Sequence, residues 1–128
     1  MAVLVGLAML AMVDVGGAGS PVIEEIVAAE PEVVEVAPPL TPRQYLYATY
    51  PRLAPRLDCM IRGESTWRPN ARSGPYVGLA QFDYPTWMET PQGRAGLART
   101  DPIASIDAMA WGTQQLGYGR WPVTSRRC

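Results

Sequence analysis

The sequence contains no histidine and no lysine. Without an imidazole there is no Ser/His/Asp triad, no Cys/His nucleophile and no His-ligated metal, because nothing else supplies that group near neutral pH. Without lysine, a Walker-type phosphate loop and a Schiff base are excluded as well. Cysteine occurs only at Cys59 and Cys128, too few with scattered acids to build a zinc site, so neither a metal nor another cofactor is expected. What remains is carboxylate chemistry or no chemistry.

At 128 residues the chain has room for one domain, and one this short buries a smaller fraction of its surface than a larger one. Extra fastening would help it. A bridge between the two cysteines closes a loop of roughly 70 residues, contributing roughly 4 kcal/mol in the chain-entropy model, and it needs an oxidising compartment.

The net charge of -1 conceals a division along the chain. Residues 1–41 carry six acids and no base, whereas all 11 arginines follow, beside the other six acids. The C-terminal part is therefore basic and drawn to polyanions, of which nucleic acid and the anionic bacterial wall both qualify. The arginines are scattered and follow no reading-helix pattern, which argues against nucleic acid.

Three segments follow from composition. Met1 to Val13 is apolar throughout and too short to span a bilayer comfortably, so residues 1–19 read as a secretory signal with Gly16-Gly17-Ala18 as the cleavage site. No basic residue precedes the run, so its n-region is weak or the true start lies upstream. Residues 20–41 alternate Glu with Val, Ile, Ala and Pro, and the prolines deny them long regular structure; an acidic, disordered linker is expected. The domain proper is residues 42–128.

That domain reads as mainly α-helical. Thr41-Pro42-Arg43-Gln44 has the form of a capped helix start, closed by Pro51. A second helix is predicted from Arg52 or Pro55 to about Ser65, with Leu53, Leu57, Met60 and Ile61 as its apolar stripe and Glu64 continuing that face. Pro69, Asn70, Gly74 and Pro75 mark a loop, followed by a short helix through Trp87 after Asp83 or Tyr84. Asp101-Pro102 opens a longer helix that Gly117 ends. Nothing reads as a strand ladder.

A glutamate at the end of an apolar stripe loses water on one side, which disfavours its charged form. Such a carboxyl keeps the proton that a general acid gives to a glycosidic oxygen. The alternative places Glu64 at an exposed helix end, paired with Arg62, Arg68 or Arg72.

The words around Glu64 extend this reading. Glu64-Ser65-Thr66-Trp67, Pro69-Asn70-Ala71, Gly78-Leu79-Ala80-Gln81-Phe82 and Thr86-Trp87 form the order E-S-x-W-x-P-N-A, G-L-x-Q-F, T-W. That order resembles the lysozyme-like superfamily, specifically the soluble lytic transglycosylase domain and, more distantly, the resuscitation-promoting factors, over roughly Leu53 to Cys128. The resemblance implies a small lysozyme-like helical fold. It also implies that Glu64 is the catalytic acid, that Ser65 assists it, and that Gly78, Leu79, Gln81 and Phe82 line a glycan cleft. Gln81 would hydrogen-bond sugar groups, Gly78 would let backbone approach the ligand, and Tyr76, Phe82 and Trp87 would offer flat faces to sugar rings; core packing is the other reading of Phe82 and Trp87. Trp111 and Trp121 read as structural. In these domains a C-terminal cysteine returns to the catalytic helix, which implies a Cys59–Cys128 bridge. The A-Y-N-A-G segment of the larger transglycosylases is missing, and Gly63 stands where the resuscitation-promoting factors usually carry cysteine.

The expected activity is cleavage of peptidoglycan between N-acetylmuramic acid and N-acetylglucosamine, outside the cytoplasm, by a monomer not inserted in the membrane after export. A hydrolase needs a second carboxylate, for which Asp83 is the candidate, although Asp also suits the N-cap there. Without one, the transglycosylase route through a 1,6-anhydro sugar is the economical mechanism. A non-catalytic wall-binding module is the reading outside enzymes.

Overall fold

The computed structural model describes Pro31 and residues 35–128. The signal-like segment and most of the linker lie outside the described residues. Contacts divide the chain into Met1–Ala37 and Pro38–Cys128, and the second unit holds every helix and strand described below. Residues 35–40 are exposed and carry neither helix nor strand.

Helix α1 (Pro42–Thr49) starts where the sequence places it. Thr41 Oγ1 accepts from the Gln44 amide at 3.1 Å and Gln44 Oε1 accepts from the Thr41 amide at 2.9 Å, so two otherwise orphaned donors are satisfied reciprocally. Helix α2 (Ala54–Ser65) follows after Pro51, and its buried face carries Leu57, Met60 and Ile61 as expected, whereas Leu53 lies at the N-cap, half-buried, and Ala54 takes the buried place at that end. The helix also buries Asp58, which the apolar pattern passes over.

Between α2 and the next helix the chain makes a two-residue ladder that the sequence does not announce: β1 (Arg72–Ser73) pairs antiparallel with β2 (Tyr76–Val77). Gly74, at φ 59°, turns the chain between them. Strands this short have no alternation to read, which is why the expectation of no ladder fails here. Helix α3 (Tyr84–Trp87) is capped by Asp83, whose Oδ1 accepts from the Thr86 amide at 2.9 Å. Helix α4 (Pro91–Arg94) starts from Thr90-Pro91, a second copy of the Thr-Pro start of α1.

Helix α5 (Pro102–Gln115) opens on Asp101, whose carboxylate accepts from the Ala104 amide, and the chain turns away at Gly117, φ 82°. A 3-10 turn (Tyr118–Arg120) leads into α6 (Pro122–Arg127), a helix absent from the sequence reading. The described residues are thus mainly helical, with six α-helices. None is long and apolar enough to cross a membrane.

One core unites these elements. Leu46, Leu57, Met60, Ile61, Leu79, Ile106 and Met109 are each at most 1 % exposed, and a fully buried aliphatic side chain of this kind contributes roughly 1.5–3 kcal/mol. Phe82 sits edge-on to both Trp87 and Trp121, at centroid separations of 5.2 and 5.6 Å. Polar ties fix the helices around that core: the Tyr45 and Tyr50 hydroxyls both donate to Asp107 on α5, at 2.8 and 2.6 Å. Cys59 on α2 is bridged to Cys128 at the end of α6. The bridge suits an oxidising, extracytoplasmic environment.

Candidate active site

Glu64 occupies the last turn of α2 and is half-buried. Its Oε2 accepts a hydrogen bond from the Thr124 hydroxyl of α6 at 2.7 Å. The three arginines near it in sequence do not pair with it. Arg62 reaches Asp58, Arg68 donates to the Ser65 carbonyl and the Thr66 hydroxyl, and no ion pair found among the described residues includes Glu64.

The chain leaves Glu64 through an unusual turn. Thr66 and Trp67 both take the left-handed conformation, at φ 50° and 59°, which costs about 1 kcal/mol or more for a residue with a Cβ. Surrounding bonds hold it there: the Trp67 indole donates to Asp58 Oδ1 at 2.9 Å, and Arg68 clasps the Ser65 carbonyl and the Thr66 hydroxyl.

Asp58 anchors this end of the molecule. It is 3 % exposed and accepts from Arg43 Nε and the Tyr47 hydroxyl, both at 2.8 Å, as well as from Trp67 and Arg62. Burial pushes its carboxyl up, but hydrogen bonds from Arg43, Trp67 and Tyr47 outweigh burial and hold it below its ordinary value. Asp58 is therefore a buried anion that joins α1, α2 and the turn after Glu64.

A cleft of about 230 Å³ is lined by Tyr76, Gln81, Phe82, Asp83, Thr86, Gly119, Arg120 and Trp121. Tyr76, Gln81 and Phe82 thus stand where the motif reading puts them. Ser65, Gly78, Leu79, Trp87 and Glu64 itself are not in its lining. Glu64 and the cleft are linked along the chain by Trp121, which lines the cleft and precedes the helix that carries Thr124.

The residues outside the lining have other tasks. The Ser65 hydroxyl donates back to the Ile61 carbonyl at 3.1 Å, Leu79 is in the core, and the Trp87 indole donates to the Leu97 carbonyl at 2.9 Å. Gly78 serves packing rather than ligand approach: its φ is 94° and a Cβ there would lie 2.1 Å from the Arg99 carbonyl oxygen. Gln81 is left-handed too, and its amide donates to the Ala71 and Gly78 carbonyls at 3.1 and 2.9 Å. Its donors shape the loop instead of facing a ligand.

Trp121 combines structure and site. It is 4 % exposed, donates from its indole to the Ala80 carbonyl at 2.8 Å, and still lines the cleft. At the rim Arg120 bridges to Glu89 at 3.1 Å. Asp83, also in the lining, is held below the ordinary carboxylate value by hydrogen bonds from the Thr86 side chain and amide. No group of three or more metal-ligating side chains is found among the described residues.

Asp58, Thr124, Gly119 and Arg120 are site residues that sequence reasoning misses, and Trp121, read as structural, also lines the cleft. An acid directly beside Leu57 on the apolar face was a usable signal for Asp58. Thr124 gave none, because its partner lies 60 positions away.

Comparison with family models, with curated proteins and with solved structures finds no match to this chain.

Proposed function

We propose that the domain cleaves the glycan strands of peptidoglycan between N-acetylmuramic acid and N-acetylglucosamine, outside the cytoplasm, with Glu64 as general acid and then base. The observation that carries this reading is the state of Glu64: a half-buried carboxyl at a helix end, outside every ion pair found, with one oxygen engaged by a neutral hydroxyl. No cation competes for this carboxyl, and its second oxygen carries no hydrogen bond found among the described residues, so that oxygen can serve as the proton-transferring atom. The order E-S-x-W, G-L-x-Q-F, T-W and the aromatic lining of the cleft by Tyr76, Phe82 and Trp121 support the same substrate class.

In the transglycosylase route, Glu64 protonates the oxygen between the sugars as the bond from that oxygen to C1 of the muramyl residue breaks. The C6 hydroxyl of the same residue then bonds to C1, returning its proton to Glu64. The product is a 1,6-anhydro sugar, and no second carboxylate is needed. Asp83 sustains a second reading, a muramidase, because it lines the cleft as an ionised carboxylate. Its engagement as the cap of α3 weighs against that role. A wall-binding module that turns nothing over is the outcome outside enzymes.

Digestion of purified peptidoglycan with mass analysis of the ends tests the proposal. Anhydro ends are expected, one water lighter than the ends a hydrolase leaves. Glu64→Gln is expected to abolish release while leaving helicity and melting temperature near wild type. Full lysis by that variant, or intact glycan with the wild-type protein, refutes the enzymatic reading.

A further inference from the structure

Two adjacent residues of α2 receive Thr124, each with a different part of the threonine. Its methyl group faces Gly63, where an added Cβ would come within 2.8 Å of Thr124 Cγ2. Its hydroxyl reaches Glu64 Oε2 at 2.7 Å. The glycine notch therefore selects the rotamer that points the hydroxyl at the carboxylate. Thr124 is 4 % exposed, so water does not compete freely for that donor.

The helix that presents Thr124 is itself fixed. Cys59 and Cys128 lie one turn from Gly63 and Thr124 on their respective helices, and the disulfide joins them. Arg56 adds a bond to the Ser125 carbonyl at 3.2 Å and stacks 3.6 Å over the ring of Tyr118. A six-residue helix could not hold a side chain this firmly alone.

We infer that Thr124 is a positioning residue for Glu64, occupying Oε2 so that Oε1 is the oxygen presented to the scissile bond. This rests on the function proposed above. The chemistry suits both halves of the reaction, because Oε2 accepts from the hydroxyl both when Oε1 carries the proton and, more strongly, when it has lost it. The bond keeps the carboxyl plane in place between proton donation and proton recovery. Removing it leaves the acid present but loosely aimed, and small misplacements of a reacting group are costly in rate.

Thr124→Val keeps the shape and removes the donor; Thr124→Ser keeps the donor. Both are compared with wild type and Glu64→Gln by steady-state release of product from a soluble peptidoglycan glycan, alongside melting temperature. The valine variant is expected to lose about tenfold or more in kcat with KM within about twofold, and the serine variant to recover most of that loss. Should the valine protein fail to fold, Gly63→Ala replaces it: the added methyl displaces Thr124, and the same loss in kcat is expected. Wild-type kcat in Thr124→Val beside an inactive Glu64→Gln overturns the positioning role alone, as does a loss carried by KM or a serine variant as slow as the valine one. An active Glu64→Gln, or an inactive wild type, overturns the functional reading and the role with it.

Discussion

The Cys59–Cys128 bridge can be moved one helical turn along both of its helices. A Cβ built at Gly63 lies 3.7 Å from the Cβ of Thr124, at the separation of about 3.8 Å that disulfides adopt. Removing the native pair as Cys59→Ser/Cys128→Ser opens a loop with a sequence separation of 69, which costs about 4 kcal/mol in the chain-entropy model. For a domain of this size each kcal/mol moves the melting temperature by roughly 4–8 °C, so a fall on the order of 20 °C is expected. Adding Gly63→Cys/Thr124→Cys to that background closes a loop of nearly the same length and should restore most of the loss. The assay is calorimetry of the three proteins, oxidised and reduced, with a thiol count to confirm closure. Free thiols in the oxidised quadruple variant, or a melting point no higher than that of the double serine variant, would show that α2 and α6 are not packed in this register. On the function proposed above, the quadruple variant should nonetheless stay about tenfold or more below wild type in kcat, since Thr124 is gone.

Asp58 predicts an acid transition. Its folded carboxyl is held below the ordinary value, so the unfolded chain takes up the proton first and the stabilisation, full above about pH 4, is lost as pH falls through the folded value. Asp58→Asn should therefore be less stable by about 3 kcal/mol near neutrality and show a flatter decline of melting temperature in acid; equal slopes for the two proteins would contradict the assignment. Asp83→Ala should lose about 1 kcal/mol as a missing helix cap, whereas Asp83→Asn should keep the cap and, on the transglycosylase route, the yield of anhydro ends. Loss of product with intact stability in Asp83→Asn would move the mechanism to the hydrolytic route.

The helix starts were legible because capping chemistry is local. Thr41, Asp83 and Asp101 each accept from the amide three residues on, and each precedes a proline in the first turn. Thr90-Pro91 carried the same signal and went unread, although α4 starts there. The hairpin was beyond reach for another reason, since two-residue strands show no period. Helix α6 is short and anchored by Glu64, Cys59 and Arg56, all distant in sequence, and local propensity is silent about such partners. The motif residues divide in the same way. Tyr76, Gln81 and Phe82 reach the cleft, whereas Ser65, Gly78, Leu79 and Trp87 build the frame behind it. A pattern of residue types records that a position matters without recording whether it faces ligand or backbone.

Phe82 and Trp121 line the cleft and are also two of the three aromatic rings packed edge to face in the interior. Reshaping these two side chains would loosen the packing beneath them, so, on the function proposed above, stability and sugar selectivity cannot be adjusted separately there. Tyr76, Thr86 and Arg120 line the cleft but stand outside the core cluster and carry no such double duty. On that same proposed function, divergence toward new glycans should run through Tyr76, Thr86 and Arg120 while Phe82 and Trp121 stay aromatic.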